Sequence, residues 1–192
     1  MIAAAFLAWL GAAFVVLSDG RRGLALGLVL VTAGLAVLAW PAGMALGAVA
    51  IGAGGLVAAG LCWRSGPPAW GIMPAGSTPR TVLCIASGLL GLWVASLVTT
   101  GTGAPLRFAV LVVVGLMAAR ILISRDSGVV LAGLAALALA LAVAPGLAAQ
   151  SPGPVPAIIG ALVAAGVMFV AGPPAPGLSR AASPAPADKD AA

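Results

Sequence analysis

The chain has 192 residues, 62% of them hydrophobic and only 7% charged, with a formal net charge of +5. A soluble domain carries about 25% charged residues on average, so this composition cannot cover a globule that faces water, and lipid has to be the solvent. Nine basic residues against four acidic ones, scattered singly or in pairs between apolar runs, exclude the clustered cationic face of a nucleic-acid binder.

Seven apolar runs follow one another, at roughly 1–17, 24–40, 42–62, 81–99, 105–124, 128–145 and 155–172. Each approaches the length of about 17–25 residues that a helix needs to cross the hydrocarbon. No alternating barrel pattern is visible, so the expected fold is an all-α, polytopic membrane protein of about seven transmembrane helices. The first run has no basic region before it, and Arg21 and Arg22 come after it, which predicts a retained span rather than a cleaved leader. The tight turn at Trp40-Pro41-Ala42 leaves open whether 24–40 and 42–62 are two full spans or one broken element.

With the N-terminus outside and seven crossings, Arg21, Arg22, Arg64, Arg80, Arg120, Arg125, Arg180 and Lys189 fall inside and Arg107 outside. The positive-inside rule selects this N-out, C-in orientation over its inverse. Arg120, about one turn before the interior end of its segment, is expected to snorkel to the headgroups rather than serve an ion pathway. Trp40, Trp63 and Trp70 read as interfacial anchors; Trp9 and Trp93 lie deeper and are expected to pack between helices. The GxxxG at Gly43–Gly47 reads as a helix-packing surface. Residues 1–172 form the membrane domain, and the Pro/Ala-rich tail 173–192 is expected to be disordered in the cytoplasm.

Residues 3–71 align without a gap to 109–177 at an offset of 106, with 24 identities in 69 positions. LVAAG at Leu56–Gly60 pairs with Leu162–Gly166, GPPA at Gly66–Ala69 with Gly172–Ala175, and Ser18 with Ser124. Such self-similarity is the mark of a duplicated unit. It predicts a 3+1+3 plan joined by the helix at 81–99, the halves parallel and related by a pseudo-twofold axis along the membrane normal. In outline this resembles the SWEET sugar transporters, without a proline-glutamine motif, and a shared plan implies no shared substrate.

The spans contain no Asp, Glu, His or Lys, which removes metal ligation, paired-carboxylate chemistry and a Schiff-base lysine. Asp19 and Asp126, beside arginines in interior hairpins, read as turn and local-charge residues. Cys62 and Cys84 read as small apolar helix residues, since a two-cysteine metal site would need further ligands. Thr32, Ser87 and Ser96 are the polar residues within spans, with Thr99 and Thr100 at an edge; back-bonding to the preceding turn satisfies such groups. If a small neutral solute crosses the chain, Ser87, Trp93 and Ser96 on the unduplicated fourth segment, between the halves, are the expected pathway residues. No enzyme activity, cofactor or metal is expected.

Met73-Pro74-Ala75-Gly76-Ser77-Thr78-Pro79-Arg80, running directly into TVLCIASGLLGLWVA, resembles the loop and span of the TctB-like small membrane subunit of tripartite tricarboxylate transporters. The similarity extends over 42–177 and includes Phe169 before the Pro-rich Gly172–Gly177; the family's aromatic pair is replaced by Ser77-Thr78, and two extra spans precede the match. The resemblance implies a small partner of a larger permease, with Pro79 and Arg80 in a subunit-contact loop and no catalytic residues. Two functions follow as expectations: an accessory or structural subunit of a cell-membrane transport complex, or a self-sufficient transporter or channel for a small neutral solute. Its partners are then the lipid bilayer and a larger membrane subunit, or further copies of itself.

Overall fold

In the computed structural model, residues 1–65, 70–71, 78–98, 103–147 and 153–170 are described, those at 95–98 by their backbone alone. They form seven α-helices: α1 (Ile2–Leu17), α2 (Arg21–Ala39), α3 (Ala45–Arg64), α4 (Thr78–Val98), α5 (Ala104–Ile123), α6 (Ser127–Val143) and α7 (Val155–Val170). A 3₁₀ turn, Ala144–Leu147, extends α6. Four segments are long and apolar enough to cross a membrane: Arg21–Ala39, Ala45–Arg64, Ala104–Ile123 and Ser127–Leu147. Ile2–Leu17, Val155–Val170 and the Thr78–Val94 part of α4 are apolar but shorter. The backbone bonds of each helix close within the segment, which is what a chain without a polar surface requires.

The helices run alternately up and down. At one end lie the α1–α2 turn, the C-termini of α3 and α5 and the N-termini of α4 and α6, joined by contacts among Ser18, Asp19, Arg80 and Arg120 and between Arg21 and Gly128. At the other end Gly146 approaches Met44 and Leu106, and Gly47 approaches Ala157. The segments at 24–40 and 42–62 are two separate helices. Gly43 turns the chain between them with φ of 77°, a conformation that L side chains rarely adopt. It therefore lies outside α3, and of the GxxxG pair only Gly47 contributes to helix packing.

α1, α2 and α3 form one row, and α5, α6 and α7 form another. The rows face each other as α1 on α5, α2 on α6 and α3 on α7. A twofold axis along the helices would instead set α1 against α7 and α3 against α5. The pairs run side by side in the same direction, so the packing follows a sideways shift of one row onto the other. α4 packs on α5 and, less, on α1, outside both rows rather than between them.

Small residues allow this density. A Cβ on Gly54 would come within 2.5 Å of the Ala161 Cβ on α7, and one on Gly55 within 2.1 Å of the Thr32 hydroxyl on α2. Both are sterically forbidden: α3 meets the α7 backbone at Gly54, and at Gly55 it receives the Thr32 side chain of α2. Such approach lets dispersion hold helices together where lipid is as apolar as the protein. Gly60, by contrast, has nothing within 4 Å of a built Cβ. Leu28, Leu35, Ile51, Leu116 and Leu139 fill the space between the seams and are fully buried.

Candidate functional site

Charge is segregated to one end of the bundle. Of the seven described arginines, six (Arg21, Arg22, Arg64, Arg80, Arg120 and Arg125) lie there with both described carboxylates, while Arg107 lies at the other end. The two turns that carry these groups are locally alike. Ser18 ends α1 at φ −100°, ψ 133°, and Ser124 ends α5 at φ −83°, ψ 138°. The extended backbone at both positions stops the helix and starts its antiparallel neighbour within three residues.

Asp19 is the hub. Arg80, from the first turn of α4, donates to both carboxylate oxygens at 3.0 Å. Arg120, from the last turn of α5, donates to the same carboxylate and to the Ser18 carbonyl at 3.1 Å. The Asp19 amide donates to the Gly71 carbonyl at 3.0 Å, which draws the 70–71 backbone over the turn. Arg120 is only 4% exposed, whereas the Asp19 side chain is 40% exposed. Burial pushes the Asp19 carboxyl upward, but the hydrogen bonds and charges of Arg120 and Arg80 outweigh it and hold the group below its ordinary value of 3.8.

Arg120 therefore does not snorkel. It is buried against the α1–α2 turn by a carboxylate 101 residues away. No local pattern could have paired them, because Asp19 stands beside Arg21 and Arg22 in the sequence. Those two side chains point elsewhere. The Arg21 guanidinium lies against Gly128 at the start of α6. Arg22 lies 5.5 Å and 5.9 Å from the ring centroids of Trp63 and Trp70, which pack edge to face. Asp126 fills the expected turn role by capping α6, accepting from the Gly128 amide at 2.7 Å and the Val129 amide at 3.4 Å. Among the described residues, Arg120 Nε, Arg21 Nη1, Arg22 Nε and the hydroxyls of Ser18 and Ser124 are buried without a hydrogen-bond partner. Each such atom costs about 1–3 kcal/mol.

The residues expected to line a pathway sit differently. Ser87 donates to the Cys84 carbonyl of its own helix at 3.0 Å, and Trp93 is 61% exposed on α4. The Ser96 side chain, Thr99 and Thr100 lie outside the described residues. Thr32, at mid-depth and 2% exposed, donates to the Leu28 carbonyl on its own helix at 2.6 Å. Pro79 is exposed at the start of α4, and Arg80 is engaged by Asp19 within the chain. Both cysteines are buried free thiols, and no group of three His, Cys, Asp or Glu comes together among the described residues.

One apolar groove stands out at the end away from the arginine cluster. It holds about 470 Å³ between α1, α4 and α5. Trp9 closes its deep end, donating from the indole to the Cys84 carbonyl at 3.2 Å, with Gly88 leaving room for the ring. Trp9, one of the two deep tryptophans, thus fastens α1 to α4.

Comparison with protein-family models, with curated proteins and with solved structures finds no match for this chain.

Proposed function

We propose that the chain is a non-enzymatic protein of the cell membrane, a small accessory or structural subunit of a larger transport complex. It spans the bilayer with all seven helices, N-terminus outside and the arginine end in the cytoplasm. Six of seven described arginines at one end support that orientation. The matching turns at Ser18 and Ser124, and the row-on-row packing of α1–α3 against α5–α7, support descent from a duplicated three-helix unit.

The observation that carries the subunit reading is the close packing of α3. Gly54 meets Ala161 on α7, across the rows, Gly55 receives the Thr32 side chain of α2, within its own row, and the buried Thr32 hydroxyl turns back onto its own helix. These contacts offer a hydrophilic solute no free polar group, whereas the outer faces of α3, α4 and α7 present Leu46, Val49, Leu90, Leu162 and Phe169 outward. In this reading the exposed Pro79 edge of α4, the position of the TctB-like loop, contacts the larger partner, and Arg80 fixes that edge to the bundle.

Native mass spectrometry of protein extracted from its own membrane tests the proposal. A larger integral membrane protein should co-extract in fixed stoichiometry and fall in abundance when this chain is deleted. A lone chain or homo-oligomer that by itself gives solute flux in liposomes would overturn it in favour of a carrier.

A further inference from the structure

Three cations at the charged end have an evident use. Arg80 and Arg120 are taken by Asp19, and Arg21 lies against Gly128. Arg22 and Arg64 differ: among the described residues neither is paired with a carboxylate, and Arg22 Nε is buried without an acceptor. Both described carboxylates of this end are committed, Asp19 to two arginines and Asp126 to the amides that start α6. Guanidinium donors are left over on the α2–α3 edge, with no described anionic oxygen to meet them.

Aromatic rings hold one of these donors in place. The last turn of α3 lies on the first turn of α2, where the Cys62 thiol donates to the Arg21 carbonyl at 3.8 Å. Trp63, the next residue, stands against Arg22, whose guanidinium carbon is 5.5 Å from that ring centroid and 5.9 Å from the centroid of Trp70. The two rings meet edge to face, 6.5 Å apart, and the bond from the Asp19 amide to the Gly71 carbonyl secures the backbone beside Trp70. A guanidinium that rests on aromatic faces keeps in-plane N–H groups for an oxyanion. Arg64 follows Trp63 directly and is exposed, so the adjoining residue carries a second such fork.

The surface that leads to these residues selects the source of the oxyanion. Val49, Ala53, Leu56, Gly60 and Trp63 share one exposed face of α3, and nothing lies within 4 Å of a Cβ built on Gly60. An apolar strip along the helix thus ends at two half-exposed tryptophans and two arginines. Apolar strip, indole, then guanidinium is the order of a phospholipid read from acyl chain to phosphate. A soluble phosphate would use the arginines and leave the strip without a role.

We propose that Arg22 and Arg64, framed by Trp63 and Trp70, bind the phosphate of one anionic phospholipid whose acyl chains lie along the exposed face of α3. The site rests on the reading of the chain as a membrane protein with its arginine end at a head-group surface, and not on the subunit role.

The test is lipid competition on the full chain in a neutral detergent, read by native mass spectrometry, with phosphatidylglycerol and phosphatidylcholine at equal concentration. An arginine near an anionic lipid is worth about fivefold in affinity, so the first bound lipid should be phosphatidylglycerol by about 25-fold. Arg64→Gln, at an exposed helix end, should cut that preference about fivefold, and Arg22→Gln should do the same. Arg125→Gln, an exposed cation on the α5–α6 turn, should leave it nearly unchanged in salt that screens distant charge. Equal binding of the two lipids by the unsubstituted chain overturns the site. So does a loss in Arg125→Gln as large as that in Arg64→Gln, which would mean diffuse attraction. Displacement of the lipid by excess inorganic phosphate would assign the arginines to a soluble phosphate and overturn the lipid. Recovery of the chain without detergent would overturn the membrane reading and the site together, whereas a chain that needs detergent and shows no preference loses the site alone.

Discussion

Replacing Asp19 by Asn removes the one carboxylate that, among the described residues, lies against the Arg120 guanidinium, and leaves the shape of the turn intact. The magnitude lies between two limits. Stripping one partner from a fully buried ion pair costs about 3–5 kcal/mol, and breaking an exposed pair costs about 0–1 kcal/mol. Arg120 is 4% exposed and Asp19 40%, and the Ser18 carbonyl still accepts from Arg120 after the change. The loss should therefore be about 2 kcal/mol, or about 30-fold in the folding equilibrium. Arg120→Met removes the buried charge as well as its partner's need for it, so the Asp19→Asn, Arg120→Met double variant should recover about 1–2 kcal/mol relative to the sum of the single changes. Arg80→Gln breaks only the outer pair and should cost at most about 1 kcal/mol. Reversible unfolding in mixed micelles, followed by helical circular dichroism against SDS mole fraction, measures all four. An Asp19→Asn protein within 0.5 kcal/mol of the unsubstituted chain, or strictly additive single losses, would refute the hub.

The same carboxylate sets a pH dependence. Its folded pKa lies below the ordinary 3.8, so its contribution is complete above about pH 4 and is lost as the pH falls further through the folded value; an SDS midpoint that drops only below pH 4, and not in Asp19→Asn, is expected. Between α3 and α2, Gly55→Ala should destabilise by about 1–3 kcal/mol through the clash with Thr32, while Gly52→Ala, with open space at its Cβ, should be neutral or slightly stabilising. Both are read by the same titration. Thr32→Val should change stability by less than about 1.5 kcal/mol, because the hydroxyl serves only its own helix; a larger loss, or altered flux, would reveal a shared polar role. A Ser127→Cys protein, with Cys62 and Cys84 buried, should react with an impermeant maleimide in inverted vesicles and not in intact cells, the reverse result excluding the proposed orientation.

Helix positions were legible in the sequence because charges and prolines interrupt the apolar runs: Asp19 and Asp126 stand in the turns where they were expected, whereas Gly43, read as part of a packing helix, turns the chain instead. What escaped it was lateral arrangement. In a chain made of Ala, Leu, Val and Gly every helix face is apolar, so hydrophobic periodicity does not say which face meets which neighbour. The fourth helix was therefore expected between the halves and lies outside them. A twofold was expected from the repeat, although identity between units specifies likeness and not the operation that relates them. The Asp19 hub was hidden for another reason. Its partners are 61 and 101 residues away, and the arginines adjacent in sequence occupied the obvious local explanation. One signal was present: Arg120 stands inside an apolar helix, and among the described residues Asp19 and Asp126 are the carboxylates near that end.

The sideways shift of one row onto the other has a consequence for assembly. A rotation by half a turn closes on itself, because two like surfaces meet and are both used up. A shift does not close. On the proposed duplication, the inner faces of the two rows are opposite sides of one unit at the first two helices: exposed Leu122 and Leu141 answer to buried Val16 and Leu35, whereas at the third helix Leu56 and Leu162 both face outward. The outer side of α5 and α6 then corresponds to a surface that α1 and α2 have already buried. Self-association through those outer sides would be head-to-tail, α1–α3 of one copy against α5–α7 of the next, with nothing in the symmetry to stop it at two. The member at either end of such a stack would be capped only by lipid or by a different protein.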